Sequence, residues 1–155
     1  MIPVPAERVW ARAVTPAGVN HELGPWIRMT MPRALRGRTI DDVEPGQPLG
    51  RSWLLLLGVV PFDYDDLGIA ELEPGRRFLE RSTMLSMRSW EHERTVEPRG
   101  DDACEVTDRL RFELRRGLAW VPGSARIARA FVARTFAHRH RRLAAYWCGL
   151  KGSWP

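Results

Sequence analysis

The chain has 155 residues, 44% of them hydrophobic and 28% charged, which is about one domain's worth of sequence and enough to bury a core without disulfide or metal staples. Two cysteines, Cys104 and Cys148, lack CxxC spacing and follow no secretory signal, so neither an oxidised scaffold nor a zinc module is expected and the cytoplasm is the expected location. The longest apolar run, Leu54 to Val60, falls far short of the ~18 residues that span a bilayer, so a soluble or peripherally membrane-associated protein is expected. Basic residues outnumber acidic ones 24 to 19 for a net charge of +5, and all but Lys151 are arginine. Many sit beside acids, as Arg81 does beside Glu80 and Arg94 after Glu93, which fits a solvated mixed-charge face and no nucleic-acid partner.

Pro5–Val14 and Pro16–Leu23 read as two short helices, each opened by a proline suited to the first turn, with Thr15 as the cap of the second. The pair resembles a helix-turn-helix, but a DNA-reading second helix must offer polar side chains to base edges, and this one is brief and ends in Gly24-Pro25. From Trp26 onward the period changes to β-rich runs separated by Pro, Gly and Asp turn signals. The strands expected are Trp26–Met31, Gly50–Val60, Leu67–Leu72, Arg77–Met87, Arg88–Glu97 and Ala103–Arg115, in an antiparallel meander. After Pro122-Gly123, Ser124 is placed to cap a helix running to about Gly149, roughly 37 Å long at 1.5 Å per residue. Its apolar stripe comprises Ala128, Val132, Phe136, Arg139, Leu143, Tyr146, Trp147 and Leu150, while Arg134, His138, Arg141 and Arg142 point away. The tail from Lys151 to Pro155 is expected to be loose.

Two short helices, a meander of six to seven strands and one long closing helix describe an α+β helix-grip arrangement, in which a curved sheet wraps the last helix. Particular residues carry a family resemblance: Phe78, Glu80 and Ser82; then Trp90-Glu-His92-Glu-Arg94-Thr-Val96; then Val106-Thr-Asp108-Arg-Leu110-Arg-Phe112; then Phe136, Arg139 and Leu143; and the opening Pro5-Ala-Glu-Arg-Val-Trp10. Together they resemble the START-related SRPBCC superfamily, and more narrowly its polyketide cyclase/dehydrase-like and cell-division-inhibitor-like ligand-binding members. The resemblance spans nearly the whole chain, 1–155, as one ligand-binding domain. It implies a ligand cavity between sheet and helix, with no cofactor. Arg94 departs from the narrower pattern, which has a second histidine there; Val96 replaces an aromatic, and Glu105-Val106 replaces a threonine-led strand entry. The superfamily's first strand has only Met1 to Val4 available to it, so it is either vestigial, exposing a sheet edge, or the start is assigned too late.

Alternation across strands puts Phe78, Glu80, Ser82 and Met84 on one concave face, Trp90, His92, Arg94 and Val96 on a second, and Val106, Asp108, Leu110 and Phe112 on a third. With Phe136, Arg139 and Leu143 from the helix, these residues are the candidate ligand-binding set. Charges inside such a chamber must be paired; Asp108 with His92 or Arg139, and Glu80 with Arg94, are the expected pairs. The same groups can instead orient a ligand's polar end. His92 beside Glu80 or Asp108 is a candidate general base, with Arg94 or Arg139 holding an enolate, for a cyclase or dehydratase reaction. His138 and His140 diverge by about 200° around the helix and hold no common metal. The all-apolar strand Leu54–Leu57 must be covered on both faces, by the last helix on one and on the other by intramolecular cover or a second copy of the chain, and Phe62–Asp66 reads as a pocket lid whose three acids can meet arginines. Three readings follow: binding of a small hydrophobic ligand such as a lipid, isoprenoid, polyketide or aromatic; a cyclase/dehydratase-type enzyme in the same pocket; and a module that meets anionic membrane or a partner through Arg134, His138, Arg141 and Arg142.

Overall fold

A computed structural model describes residues 1–151. Helices α1 (Ala6–Ala13) and α2 (Pro16–Leu23) open the chain, followed by strands β1 (Ile27–Met29), β2 (Pro48–Leu56), β3 (Val60–Glu73), β4 (Arg77–Met84), β5 (Met87–Pro98) and β6 (Cys104–Leu114). A single-turn helix α3 (Arg116–Ala119) leads into the long helix α4 (Ser124–Lys151). The strands form one antiparallel sheet in sequence order, β1 to β6, curled into a half-barrel beneath α4. This is the helix-grip fold expected from the sequence. The side chain of Leu150 and the tail after Lys151 lie outside the described residues.

The α1–α2 corner is set by local chemistry. Thr15 caps α2 by accepting the Gly18 amide at 2.9 Å, and its hydroxyl donates back to the Arg12 carbonyl. Gly18 lies so close to α1 that a Cβ there would meet the Arg12 carbonyl oxygen at 2.0 Å, so glycine is required for the two helices to turn on each other. By contrast, Ser124 does not cap α4: its hydroxyl has no hydrogen-bond partner, and the preceding turn is made by Gly123 at φ 84°.

The largest difference from the sequence reading lies in the first long hairpin. The apolar run does not continue to Val60; the chain reverses at Leu57 and Gly58, both at positive φ as a tight hairpin turn requires, and the expected loop Pro61–Asp66 is the first half of β3. Pro61 was a misleading turn signal because a bulge between Leu54 and Leu55 accommodates it in the ladder. Phe62–Asp66 is therefore wall and not lid. Of its three acids only Asp66 meets an arginine, Arg51 at 2.8 Å, whereas Asp63 and Asp65 point inward and are buried. The expectation that both faces of Leu54–Leu57 are covered also fails: Leu56 and Leu57 are exposed.

At the other end of the sheet the alternation holds. Trp90, His92, Arg94 and Val96 of β5 are all buried, with Arg88 exposed and Glu91, Glu93 and Thr95 half-exposed between and beside them. Ahead of α1, Ile2 forms an isolated bridge, exchanging two backbone hydrogen bonds with Cys104, the first residue of β6. Two apolar clusters result. One gathers Val9, Trp10, Ile69, Phe78, Val96 and Leu143; the other gathers Met84, Met87, Trp90 and Val132.

Candidate functional site

A cavity of about 690 Å³ opens between the concave face of the sheet and α4. Its walls are mostly aliphatic and aromatic: Leu54, Leu67, Ile69, Phe78, Met84, Met87 and Trp90 from the sheet, Val132 and Phe136 from α4, and Ile27, Met29 and Leu35 from the segment around β1. Polar groups enter at Asp63, Asp65, Glu80, His92 and Arg139, and the exposed Arg38 lines the cavity as well. Length and pattern explain this division: β3 and β4 each place alternate side chains inward, and the acids occupy positions that strand pleating gives to the core.

Behind one wall lies a closed ionic knot. The Arg94 guanidinium, fully buried on β5, grips Asp108 of β6 through Nε at 2.7 Å and Nη2 at 2.8 Å, while its Nη1 reaches Glu22 of α2 at 2.9 Å. The second Glu22 oxygen accepts from Arg139 of α4 at 3.0–3.1 Å. Asp108 is completed by the ring nitrogens of His92 and His140, each at 2.8 Å. Burial pushes the Glu22 and Asp108 carboxyls upward, but the Arg94 guanidinium, joined by Arg139 at Glu22 and by hydrogen bonds from both histidines at Asp108, more than reverses this. Both therefore lie below the ordinary carboxylate range, Asp108 far below. For Arg94, the two carboxylates outweigh burial and hold the guanidinium charged.

A second polar group continues from the knot into the cavity. His92 Nδ1 stands 3.4 Å from Glu80, so the imidazole lies between two carboxyls, flanked edge-on by Phe78 and Phe136. Glu80 also accepts from Ser82 at 3.0 Å. Asp65 of β3 faces Glu80 and Ser82, and burial followed by the Glu80 charge pushes its carboxyl up to about 9. Burial also raises Glu80, but hydrogen bonding and charge from His92 prevail and keep it the ionised member of the pair. Among the described residues no group of three or more side chains is arranged to hold a metal ion.

A model of a domain of unknown function, DUF8410, matches residues 1–147. The chain belongs to the DUF8410 family. No curated protein matches it. Among solved structures, a START superfamily protein from Mycobacterium smegmatis is 14% identical with a TM-score of 0.65, covering 96% of this chain and 93% of that one. A protein from Chromobacterium violaceum is 15% identical with the same TM-score, covering 95% of this chain and 92% of that one. DynU16, from the dynemicin biosynthetic locus, is 17% identical with a TM-score of 0.52 and covers 94% of this chain but 44% of its own. The shared feature is the fold, and this DUF8410 chain has the SRPBCC helix-grip fold that its sequence resembles.

Of the residues singled out from the sequence, Phe78, Glu80, Met84, Trp90, His92, Phe136 and Arg139 border the cavity of the DUF8410 chain, whereas the other seven do not. Arg94 and Asp108 are sealed in the knot, and Ser82 is spent on Glu80. Val106 and Leu143 pack in the first apolar cluster, and Leu110 and Phe112 in the second. One expected pair is corrected, since Glu80 pairs with His92 instead of Arg94; of the two partners expected for Asp108, His92 is the one found, and Arg139 pairs with Glu22. Sequence reasoning missed Glu22, Asp65 and His140. Glu22 carried a faint signal, an acid in the last turn of a helix, where the dipole disfavours it unless a partner is at hand.

Glu22 joins α2 and α4 to the sheet, so its charge is the most sensitive point of the knot. Glu22→Gln leaves Arg139 and one side of Arg94 uncompensated, and urea unfolding at pH 7 is expected to show a loss of about 3–5 kcal/mol. Because the Glu22 carboxyl is depressed in the folded chain, its contribution is complete above the ordinary carboxyl range and disappears as pH falls through the folded value. The difference between variant and parent should therefore shrink on acidification. An equal difference at pH 7 and at pH 3 would contradict this assignment.

Proposed function

We propose that this protein binds a small hydrophobic molecule with a polar end, a lipid, isoprenoid, polyketide or aromatic, and acts by sequestering it. The observation that carries the reading is the cavity itself: about 690 Å³, walled by apolar side chains with a few convergent polar groups, the size and character of a small-molecule site. Phe78, Met84, Trp90 and Phe136 would supply apolar contact, with the polar groups of β3 and β4 orienting the ligand. On this reading the whole chain works as one ligand-binding domain. The neighbouring structures, one of a START superfamily protein and one from the dynemicin biosynthetic locus, support the same direction by fold. The enzymatic alternative loses its cation, since Arg94 and Arg139, the groups nominated to hold an enolate, are committed to Glu22 and Asp108.

One observation favours adding a membrane surface to this reading. The cavity mouth is ringed by exposed apolar side chains: Leu56 and Phe62 from the β2–β3 hairpin, Leu118 and Val121 around α3, and Ile127 and Phe131 on α4, with Trp120 beside them at 84% exposure. Arg116, Arg126 and Arg129 are exposed in the same segments and Arg28 on β1, which pairs with β2, and no acidic residue follows Glu113 in the chain. An apolar collar with a cationic fringe suits an anionic bilayer, from which a hydrophobic ligand could pass directly into the mouth. Of the basic face expected from the sequence, His138 hydrogen-bonds the Gly24 carbonyl and Arg142 that of His21, so these two are used against the α2 end while Arg134 and Arg141 stay exposed.

Ala128 lines the cavity from α4 and takes no part in the ionic knot. Ala128→Trp should therefore fill the chamber and abolish the fluorescence gain of Nile red while leaving thermal stability near that of the parent; undiminished uptake would place the dye elsewhere and count against the cavity. For the collar, Trp120→Asp is expected to cut co-sedimentation with phosphatidylglycerol vesicles at low salt several-fold. A parent protein that stays in the supernatant would end the membrane reading.

A further inference from the structure

We propose that the outer edge of β6 pairs with the same edge of a second copy of this chain, antiparallel about a two-fold axis at Phe112, so that the two six-stranded sheets join into one. The two ends of the sheet are finished differently. At the β1 end, the side chain of Asn20 on α2 stands in for a neighbouring strand: its Nδ2 donates to the Met29 carbonyl at 3.0 Å and its Oδ1 accepts from the Met29 amide at 2.8 Å. At the β6 end the bridge from Ile2 reaches only Cys104, and among the described residues nothing pairs with the edge from Glu105 to Leu114. A sheet edge left bare in this way is a template for another strand.

The bridge also shows which backbone groups are on offer. Because Ile2 exchanges both hydrogen bonds with Cys104, the Cys104 amide and carbonyl point away from β5, and in an antiparallel strand every second residue does the same. Val106, Asp108, Leu110, Phe112 and Leu114 therefore turn their backbone groups outward, while Arg109, Arg111 and Glu113 bond to β5. Asp108 shows the consequence, since its side chain is 3% exposed and yet the residue as a whole is half-exposed. The apolar side chains agree. Trp90 and Val96 on the inward face of β5 are buried, whereas Leu110, Phe112 and Leu114 on the inward face of β6 pack on the second apolar cluster and remain half-exposed.

A second copy fits this edge because the strand is complementary to itself in one register. With Phe112 on the axis, Leu110 lies opposite the partner's Leu114 on the concave face and Arg111 opposite the partner's Glu113 on the convex face, each pair occurring twice. Arg111 is exposed, and the acid across from it on β5, Glu91, is bound by Arg81 at 3.0 Å. Arg88 occupies only Oε2 of Glu113, which leaves Oε1 for an incoming guanidinium. Arg109 meets the partner's Arg115 at the ends of the overlap, where Glu93 holds the one and the Met84 carbonyl the other. Other registers fit worse. An axis at Leu110 sets Arg109 against Arg111 twice, one at Arg109 sets Glu105 against Glu113, and one at Arg111 sets that arginine against itself; an axis at Asp108 runs the partner's Phe112 into Ile2.

Light scattering on the full chain should give the mass of a dimer. Arg111→Glu, which brings like charges together twice, should weaken the dimer about tenfold or more, as should Glu113→Arg. The two changes combined restore opposite charges and should restore the dimer. Neither position lines the cavity or belongs to the ionic knot, and the melting temperature of each variant reports that the fold is kept. Amide hydrogen exchange followed by NMR locates the contact. In the dimer the Leu110, Phe112 and Leu114 amides should be as protected as those of Arg109 and Arg111, which bond to β5 in either state, and in the Arg111→Glu variant they should lose that protection. A parent protein that stays monomeric up to the concentrations used for NMR would overturn the pairing. So would a dimer whose Leu110 and Phe112 amides exchange freely, because its contact then lies elsewhere, and so would one that Arg111→Glu leaves unchanged.

Discussion

The arrangement depends on one buried cation. A guanidinium taken out of water is tolerated only where its donors are matched, and Arg94 is matched twice, in bidentate fashion by Asp108 on the adjacent strand and singly by Glu22 on α2. Because Glu22 also binds Arg139, the knot ties an N-terminal helix, the C-terminal helix and the far half of the sheet at a single point. Such ion pairs add little net stability over a well-packed apolar alternative. Their contribution here is positional: the separation of α4 from the sheet is fixed at one end, and the cavity opens toward the other.

That division gives the interior two kinds of polarity. On the Arg94 side every carboxylate oxygen has cationic or imidazole donors, and the carboxyls are ionised. On the Asp65 side two acids face each other with His92 as the nearest counterpart, so one carboxyl keeps its proton and one oxygen keeps no partner. His92 joins the two, with Asp108 on one ring nitrogen and Glu80 on the other. A satisfied network needs no ligand; an unsatisfied acid in an apolar chamber has use for one. This contrast, more than the presence of a histidine among carboxylates, separates a binding role from the acid–base chemistry that the same residue types can perform.

The sequence made the fold readable wherever one physical signal dominated. Strict alternation over Trp90, His92, Arg94 and Val96 identified β5 and its inward face, and the 3.6-residue stripe of α4 marked Val132, Arg139, Leu143 and Trp147 as buried. It failed where signals conflicted. Leu57 at positive φ is a turn residue that leucine does not advertise, and Pro61 advertised a turn that a bulge had absorbed. That one hairpin error hid Asp63 and Asp65, since residues assigned to a loop were not asked which face they occupied. Glu22 and His140 were unreadable for a different reason: their partners lie 72 and 32 positions away in the chain, and no local pattern encodes such pairs. The arginine at position 94 is explained only when Glu22 is seen beside it.

The most direct measurement is native mass spectrometry of the protein purified from its own host, followed by extraction and identification of whatever it carries. The account requires one small hydrophobic molecule per chain, lost from the Ala128→Trp variant. A chain that emerges empty would contradict it.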